Sequence, residues 1–287
     1  MIKLKFRTMR IFTGIAFLLV SSIFYGQTPE VSKNKKWVLV PGLSDEFDQD
    51  ILDTTKWQKE PIGNDWVWDG RPPALFKASN VAVKDGKLNV TVGKLDQPVT
   101  TKGKVFTHQG GIVRSLNPGK VGYYYEAKMK ANKTVMSSTF WLMSKYDCEQ
   151  KLELDIQECV GRTTDKTEVW AQKWDQIFHA NAIHRKTTCN PEAKRVQQQF
   201  TPETKNHERF YVYGAWWKSD TEILFYLDGT YTYTLNPTVA WNVPAYIHMA
   251  IETYDWNPIP DDGGLVTHGT LEERTTQYEW VRTWELK

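Results

Sequence analysis

The sequence is poor in several features that define common protein classes. Its 287 residues include only 3 cysteines, without the paired Cys/His spacing that holds zinc. The formal net charge is only +2, whereas general nucleic-acid binding favours a strongly basic domain. Linkers, internal repeats and low-complexity segments do not interrupt the sequence. These absences point away from a zinc-dependent, nucleic-acid-binding or multidomain protein.

A hydrophobic run long enough to be a transmembrane helix is also missing. The first ten residues are rich in Lys and Arg, and the uncharged stretch IFTGIAFLLVSSIF follows them. Its length and flanks are typical of a secretory signal peptide rather than of a membrane span. We therefore predict a signal peptide over residues 1–26, cleaved after Gly26, and a polar leader over residues 27–36. The mature protein is expected to be a secreted monomer, extracellular or periplasmic.

The small set of cysteines still allows one disulfide in an exported protein, with at least one thiol left unpaired. Cys148 and Cys189 both fall in loop-like segments, so we expect them to form it. Cys159 is expected to pack as a small buried hydrophobe.

Aromatic residues, in contrast, are abundant: the chain has 13 Trp, 13 Tyr and 12 Phe. Aromatic side chains favour strands, so part of this set is explained by the core of a β protein. The remainder suits flat platforms for a ligand with apolar faces, and sugars have such faces.

Short apolar runs separated by turn residues follow one another from Trp37 to the end of the chain. The alternation in KLNVTV suits a half-buried strand, and Asp-Gly turns predict hairpins within Val83–Val92 and Ile223–Leu235. Only Lys166–His179 has helical spacing, and we predict an amphipathic surface helix there. Many short antiparallel strands indicate an all-β fold, a single two-sheet β-sandwich domain over residues 37–287.

The segment LELDIQECVG places Glu153, Asp155 and Glu158 among apolar residues typical of a strand. Unpaired carboxylates are costly to bury, so their presence indicates a function. Residues two apart on a strand share a face, which brings Glu153 and Asp155 together. Glu158 reaches that face only if a β-bulge occurs near Ile156-Gln157, and bulges are common beside active sites. The apolar residues between the acids would then pack toward the core: Leu152, Leu154 and Ile156.

Carboxylates gathered on one face of a cleft can split a glycosidic bond. One acts as an anion at the anomeric carbon, and the other keeps a proton for the leaving oxygen. Like-charge repulsion can raise the pKa of one carboxyl while the other stays ionised. A retaining enzyme needs carboxyls ~5–5.5 Å apart, and neighbouring positions on one bulged strand favour that short separation.

Other interpretations of the acids remain open. Calcium also gathers carboxylates, although it would more naturally use loop acids, backbone carbonyls and a Gly-bearing loop. A solvated charged strand face does not explain why apolar residues alternate with the acids. We predict no cofactor, with a structural calcium ion as the alternative.

ELDIQE matches the E-x-D-x-x-E signature of glycoside hydrolase family 16 in its bulged form. The resemblance extends over essentially the whole mature chain, and SDEFD, SSTFWLM, YGAWWKSDTEILFYLDG, ETYDWNP and YEWVRTWEL look like the agarase and porphyranase branches. It implies a β-jelly-roll with an open cleft that cuts β-1,4 links in red-algal galactans with retention. It also implies that Glu153 is the nucleophile, that Glu158 is the acid/base, and that Asp155 holds the nucleophile's orientation and proton balance. From the neighbouring charges we expect the pKa of Glu158 to be raised.

Further candidates for substrate binding lie outside the acid motif. DWVWDGRPPALF is predicted to be a loop whose Trp68 stacks on a sugar and whose Arg71 binds hydroxyl or sulfate oxygens. Alternatively, Trp66 anchors this loop in the core and Arg71 pairs with an acid. The other candidates are Trp141 in TFWLM, Asn181, His184 and Arg185 in HANAIHR, His108 in FTHQGG, and Glu252 in IETYDW.

The identity of the galactan rests on few residues. Porphyran carries sulfate on alternate sugars and agarose is neutral, so Arg71 and Arg185 would suit porphyran. WDGRPPALF, HANAIHR and ETYDWNP also look closest to porphyranases, which makes porphyran the expected substrate and agarose the alternative. A laminarinase fits the flanking segments less well. A non-catalytic carbohydrate-binding module would keep the Trp platforms but has no reason to retain Glu153 and Glu158 together.

Overall fold

A computed structural model of the chain describes residues 28–63 and 66–287. The predicted signal peptide over residues 1–26 lies outside the described residues and stays a prediction. In the described ranges, no helix is both long and apolar enough to cross a membrane.

Strands make up most of the regular structure. In chain order they are β1 (Trp37–Leu39), β2 (Trp57–Gln58), β3 (Ile62–Gly63), β4 (Trp66–Val67), β5 (Gly70–Arg71), β6 (Ala74–Phe76), β7 (Val81–Lys84), β8 (Lys87–Thr91), β9 (Gly93–Thr101), β10 (Lys104–Ser115), β11 (Tyr123–Lys130), β12 (Ser137–Ser144), β13 (Leu152–Val160), β14 (Phe178–His184), β15 (Lys194–Phe200), β16 (Tyr211–Trp217), β17 (Ile223–Leu227), β18 (Thr230–Leu235), β19 (Ala245–Ile251) and β20 (Thr275–Leu286). The helical elements are short: 3-10 turns at Pro41–Leu43, Ala78–Asn80 and Val169–Ala171, and the α-helix α1 (Gly264–His268).

Two large sheets enclose the core, which confirms the predicted β-sandwich. The first sheet has the order β18-β17-β16-β11-β20-β8-β7, with β1 also paired to β20. The second has the order β15-β14-β13-β12-β19-β10-β6-β5, with β2 and β9 also paired to β10. The two predicted Asp-Gly hairpins are formed by β7 with β8 and by β17 with β18.

The acid-bearing strand β13 packs one of its faces into this core. Leu152, Leu154 and Ile156 are fully buried there, as predicted, together with Tyr213 and Phe225 from the first sheet. Burying a side chain of this size stabilises the fold by roughly 1.5–3 kcal/mol. The alternating acids therefore face the outer side of the second sheet.

The predicted helix over Lys166–His179 does not form. The segment makes a short 3-10 turn at Val169–Ala171, and β14 already begins at Phe178. The helical spacing came from Trp170 and Trp174, whose rings pack edge to face and also contact Trp256. Aromatic packing between two loops, rather than one helix face, explains the pattern.

Two other local predictions concern the cysteines and the Trp-rich loop. Cys148 and Cys189 form the predicted disulfide, with their Cα atoms 5.2 Å apart, and Cys159 is buried and free. The segment predicted to be a loop around Trp68 and Arg71 instead contains the short strands β4, β5 and β6. β6 pairs in parallel with β10 and antiparallel with β5, so these two strands form one end of the second sheet, whereas β4 pairs with β3 in a separate two-stranded sheet.

Candidate active site

A β-bulge brings the three acids of β13 to one face. In the pairing of β12 with β13, Phe140 lies opposite Gln157 and Trp141 lies opposite Asp155. Ile156 is therefore the extra residue, and the predicted bulge is confirmed. Without it, Glu158 would point into the core.

The acids line a cleft of about 330 Å³ on the outer face of the second sheet. The cleft is lined by β13 and by residues that lie on either side of this strand. Its other lining residues are Val67, Trp68, Arg71, Thr139, Trp141, Met143, Lys151, Arg185 and Glu252. Among the predicted substrate-binding residues, the fold thus brings Trp68, Arg71, Trp141, Arg185 and Glu252 together around the acids.

Arg185 holds Glu153 in a bidentate ion pair. Its Nε donates to one carboxylate oxygen over 2.8 Å, and its Nη2 donates to the other oxygen. Such paired, charge-assisted bonds fix the orientation of a carboxylate. Arg185, predicted to contact the substrate, therefore also positions the candidate nucleophile.

Glu158 is held by groups from β14 and from the segment after β19. The Asn181 amide donates to one carboxylate oxygen over 2.6 Å, and the Tyr254 hydroxyl donates to the other over 2.9 Å. His179 places Nδ1 3.4 Å from the first oxygen. Asn181, predicted to bind substrate, thus contacts the candidate acid/base directly.

The pKa values of the neighbouring acids differ from the expected pattern. Burial, together with the charges of Glu158 and Glu153, raises the pKa of Asp155 well above its ordinary value. Burial also acts to raise the pKa of Glu158, but His179 and Tyr254 outweigh it and the pKa is lowered. The prediction of a raised pKa for Glu158 is therefore wrong. The prediction failed because the donors from other strands were not visible in the acid motif.

Trp141 forms an aromatic floor beside the acids. It stacks on His248 with ring centroids 4.2 Å apart and an interplanar angle of 16°. Trp68 meets Trp141 edge to face at 5.8 Å and packs on Phe76 at 4.9 Å. These contacts place the two predicted platforms at right angles in the cleft, where they can contact different faces of a sugar chain.

Arg71 pairs with Glu252 across the cleft. The Nε of Arg71 donates to Glu252 over 2.9 Å, and its guanidinium lies 5.2 Å from the Tyr254 ring centroid. Burial raises the pKa of Glu252 to about 7 although Arg71 opposes the shift. The alternative in which Arg71 pairs with an acid is thus the one observed, and 40% of its side chain remains exposed to the cleft.

Two predicted residues do not reach the cleft. His184 follows the inward residues Ala180 and Ala182 on β14, and its Nε2 lies 3.3 Å from the Glu149 carbonyl oxygen. Because residues two apart on a strand share a face, His184 points away from Asn181. His108 lies on β10 with its Nδ1 2.9 Å from the Thr107 hydroxyl, outside the described cleft lining. The side chain of Trp66 lies outside the described part of the structure.

His179 and Tyr254 are the functional candidates that sequence reasoning missed. His179 was hidden inside the predicted helix; as a strand residue it shares a face with Asn181. Tyr254 lies two residues after Glu252 in ETYDW, so the same alternation in an extended segment could have indicated it. In the described ranges, the closest group of three possible metal ligands is Cys148, Glu149 and Cys189, and its two cysteines form the disulfide.

A β-sandwich with a bulged, acid-bearing strand lining an aromatic cleft defines a polysaccharide-cleaving glycoside hydrolase. The sequence model described as Beta-porphyranase A-D, GH16 domain, matches residues 37–286. The chain belongs to this family of glycoside hydrolases.

Individual relatives agree with the family match. The chain is 40% identical to beta-porphyranase B of Zobellia galactanivorans over 284 residues, which cover 94% of each chain. The crystal structure of porphyranase B from that organism superposes with a TM-score of 0.83 at 41% identity, covering 91% of this chain and 97% of that one. A beta-agarase of Agarivorans albus is more distant, at 23% identity over 89% of this chain and 58% of its own length.

Proposed function

We propose that this chain is a secreted, monomeric, endo-acting enzyme that hydrolyses β-1,4 galactosidic links in porphyran with retention of configuration. The observation that carries the proposal is the bulged strand β13, which presents Glu153 and Glu158 to one cleft with different partners. Arg185 binds Glu153 through two hydrogen bonds, and Glu158 lies between donors on the other side of Asp155.

The reaction follows from these positions in two steps. The Glu153 carboxylate attacks the anomeric carbon while Glu158 gives a proton to the departing sugar oxygen, which leaves a glycosyl ester on Glu153. Glu158, now ionised, removes a proton from water, and the resulting hydroxide attacks the same carbon and releases Glu153. Asp155 lies between them and, as a carboxyl with a raised pKa, keeps a proton in the site.

Porphyran is favoured by the relatives' activity names and by the cations of the cleft. Beta-porphyranases at 33–40% identity match most of this chain. Arg71, Lys151 and Arg185 line the cleft, and cations near a bound sulfate strengthen its hydrogen bonds. Beta-agarase activity is the second candidate, because Arg71 and Arg185 are both paired with cleft carboxylates, Glu252 and Glu153.

Incubation with four polysaccharides tests the proposal. Purified enzyme is given porphyran, agarose, κ-carrageenan or laminarin, and reducing ends, product sizes and the initial anomer are recorded. We expect fast release of mid-sized oligosaccharides from porphyran, with the β anomer formed first. Faster depolymerisation of agarose would replace porphyran by agarose, and an initial α anomer would exclude retention.

A further inference from the structure

A path of aromatic rings leads from Glu158 to the protein surface. Tyr254, which donates to Glu158, stacks on Trp256 with centroids 4.7 Å apart and an interplanar angle of 16°. Trp256 in turn contacts Trp170 at 5.2 Å. Trp170 is 62% exposed, and its neighbour Val169 is 87% exposed. Packed rings, of which Tyr254 is buried, thus connect the exposed Trp170 to the active-site acids, and exposed apolar surface of this kind often binds a ligand.

Packing alone does not account for the exposure of Trp170. Trp174, four residues later, is only 9% exposed and fills the space beneath the loop, where it contacts His179 at 4.4 Å and Trp256 at 4.8 Å. Trp170 lies over this layer and keeps most of its surface in solvent. The loop therefore has a buried Trp that anchors it and an outer Trp that is left available.

Hydrogen bonds from both backbone and side-chain groups hold the loop that carries Trp170 in place. The Glu168 N–H donates to the Trp256 carbonyl over 2.9 Å, and the Thr167 hydroxyl donates to Asn257 Oδ1 over 2.5 Å. The buried Asn257 amide donates to the carbonyls of Val135 and Arg162 over 2.7 and 3.0 Å. A platform fixed in this way loses little conformational entropy when a ligand binds.

The position of these aromatic rings relative to the two acids indicates on which side of the scissile bond they lie. Glu158 protonates the oxygen of the departing sugar, so that sugar lies on the Glu158 side of the cleft. The row of rings begins at Tyr254, which is buried beside Glu158, whereas Glu153 is bound by Arg185. Sugars beyond the departing one therefore extend toward Trp256 and Trp170.

We propose that Trp170 forms a distal subsite for the leaving-group side of the polysaccharide. The apolar face of a galactose residue would stack on the exposed indole, with Trp256 supporting the ring from behind. The inference rests on the proposed function, because it requires a galactan chain in the cleft. It adds a specificity-determining residue that acts on long substrates and is remote from the chemical step.

Two substrates with different leaving groups test this subsite. One is the galactan that the wild-type enzyme cuts, and the other is a nitrophenyl glycoside of its oligosaccharide, which has no sugar on the leaving side. For Trp170→Ala we expect kcat/KM on the galactan to fall about tenfold, mainly through KM, and kcat/KM on the nitrophenyl glycoside to stay unchanged. Trp170→Phe should be intermediate, and Tyr231→Ala, which removes a 54% exposed aromatic from the first sheet, should affect neither.

The ratio of the two kcat/KM values is the decisive quantity. A partly unfolded variant lowers both values equally and leaves the ratio at the wild-type level, so the activities are normalised to active enzyme titrated with a mechanism-based inhibitor. An unchanged ratio in Trp170→Ala, with normal wild-type activity, overturns the subsite and leaves the proposed function intact. A wild-type enzyme that cuts neither porphyran nor agarose contradicts the proposed function itself.

Discussion

At the residue scale, the three acids differ by the partners that surround them. Glu153 has the Arg185 ion pair, and Glu158 accepts from Asn181 and Tyr254. Asp155 Oδ2 is buried without a hydrogen-bond donor in the described residues, which fits a carboxyl that keeps its proton. The pKa of Asp155 is raised and that of Glu158 is lowered, so Asp155 binds a proton more readily than its neighbour does.

Substitution of either proposed catalytic acid should separate chemistry from folding. Glu153→Gln and Glu158→Gln should each lower kcat by several orders of magnitude, because each removes a different chemical role. Steady-state kinetics on the preferred galactan and circular dichroism give the two measurements. Near-normal turnover in either variant would contradict the assignment.

Azide rescue distinguishes the two roles. Glu153→Ala with azide and an activated substrate should give a glycosyl azide of inverted configuration, since azide enters from the side that the carboxylate vacated. A product of retained configuration would instead make Glu153 the acid/base.

The pH profile should respond in opposite directions to two neighbours of Glu158. His179 lowers the pKa of Glu158, so His179→Gln should raise that pKa and move the basic limb of kcat/KM to higher pH by roughly one unit. Asp155→Asn removes a group that can become negative beside Glu158, so it should move the basic limb to lower pH. If the basic limbs of the two variants move in the same direction, or if neither moves, then His179 and Asp155 do not control the pKa of Glu158.

At the element scale, the bulge decides which side of the sheet Glu158 faces. Deleting Gln157 leaves a regular strand in which Glu158 still shares a face with Glu153, and Ile156 stays in the core.

We therefore expect the deletion variant to fold with reduced stability and detectable activity, because it loses Gln157's bonds to the Ile177 carbonyl and the His179 N–H, each worth about 0.5–1.5 kcal/mol. Melting temperatures and kcat on the galactan provide the comparison with the wild type, and a deletion variant that folds without any activity would contradict this account of the bulge.

Features that depend on the spacing within one strand or hairpin could be inferred from the sequence. Spacing along one strand was sufficient for the acids, the bulge and the two hairpins, because these depend on local alternation. The contacts of Glu158 with His179 and Tyr254 join distant segments, and no local pattern encodes them. The error over Lys166–His179 then placed His184 among the candidates, since the alternation of β14 was not recognised.

At the scale of the whole molecule, a buried acid in the first sheet links stability to pH. Glu126 is fully buried, receives a bond from the Trp284 indole over 2.8 Å, and leaves its second oxygen without a hydrogen-bond partner in the described structure. Burial is the main reason why its pKa is raised from 4.5 to about 7. The folded state therefore binds this proton more tightly than the unfolded state does.

The stabilisation from this proton is complete below pH 4.5 and is lost as pH rises through about 7. Glu126→Gln cannot ionise, so its free energy of unfolding relative to wild type should increase between pH 5 and pH 8 by up to about 3 kcal/mol. Chemical denaturation at both pH values measures this difference, with Glu222→Gln, a partly exposed acid paired with Lys218, as the control. A difference independent of pH would show that Glu126 does not titrate in this range.

The pairing of β1 with β20 brings the two ends of the domain together. The Lys36 N–H donates to the Lys287 carbonyl and the Lys287 N–H to the Lys36 carbonyl, both over 2.9 Å. These ends belong to the first sheet, whereas the acids line the outer face of the second. A tether engineered at either end would thus attach to the same place behind the catalytic face. An enzyme immobilised on a bead would present its cleft outward, toward a gel or a cell wall, whichever end was used.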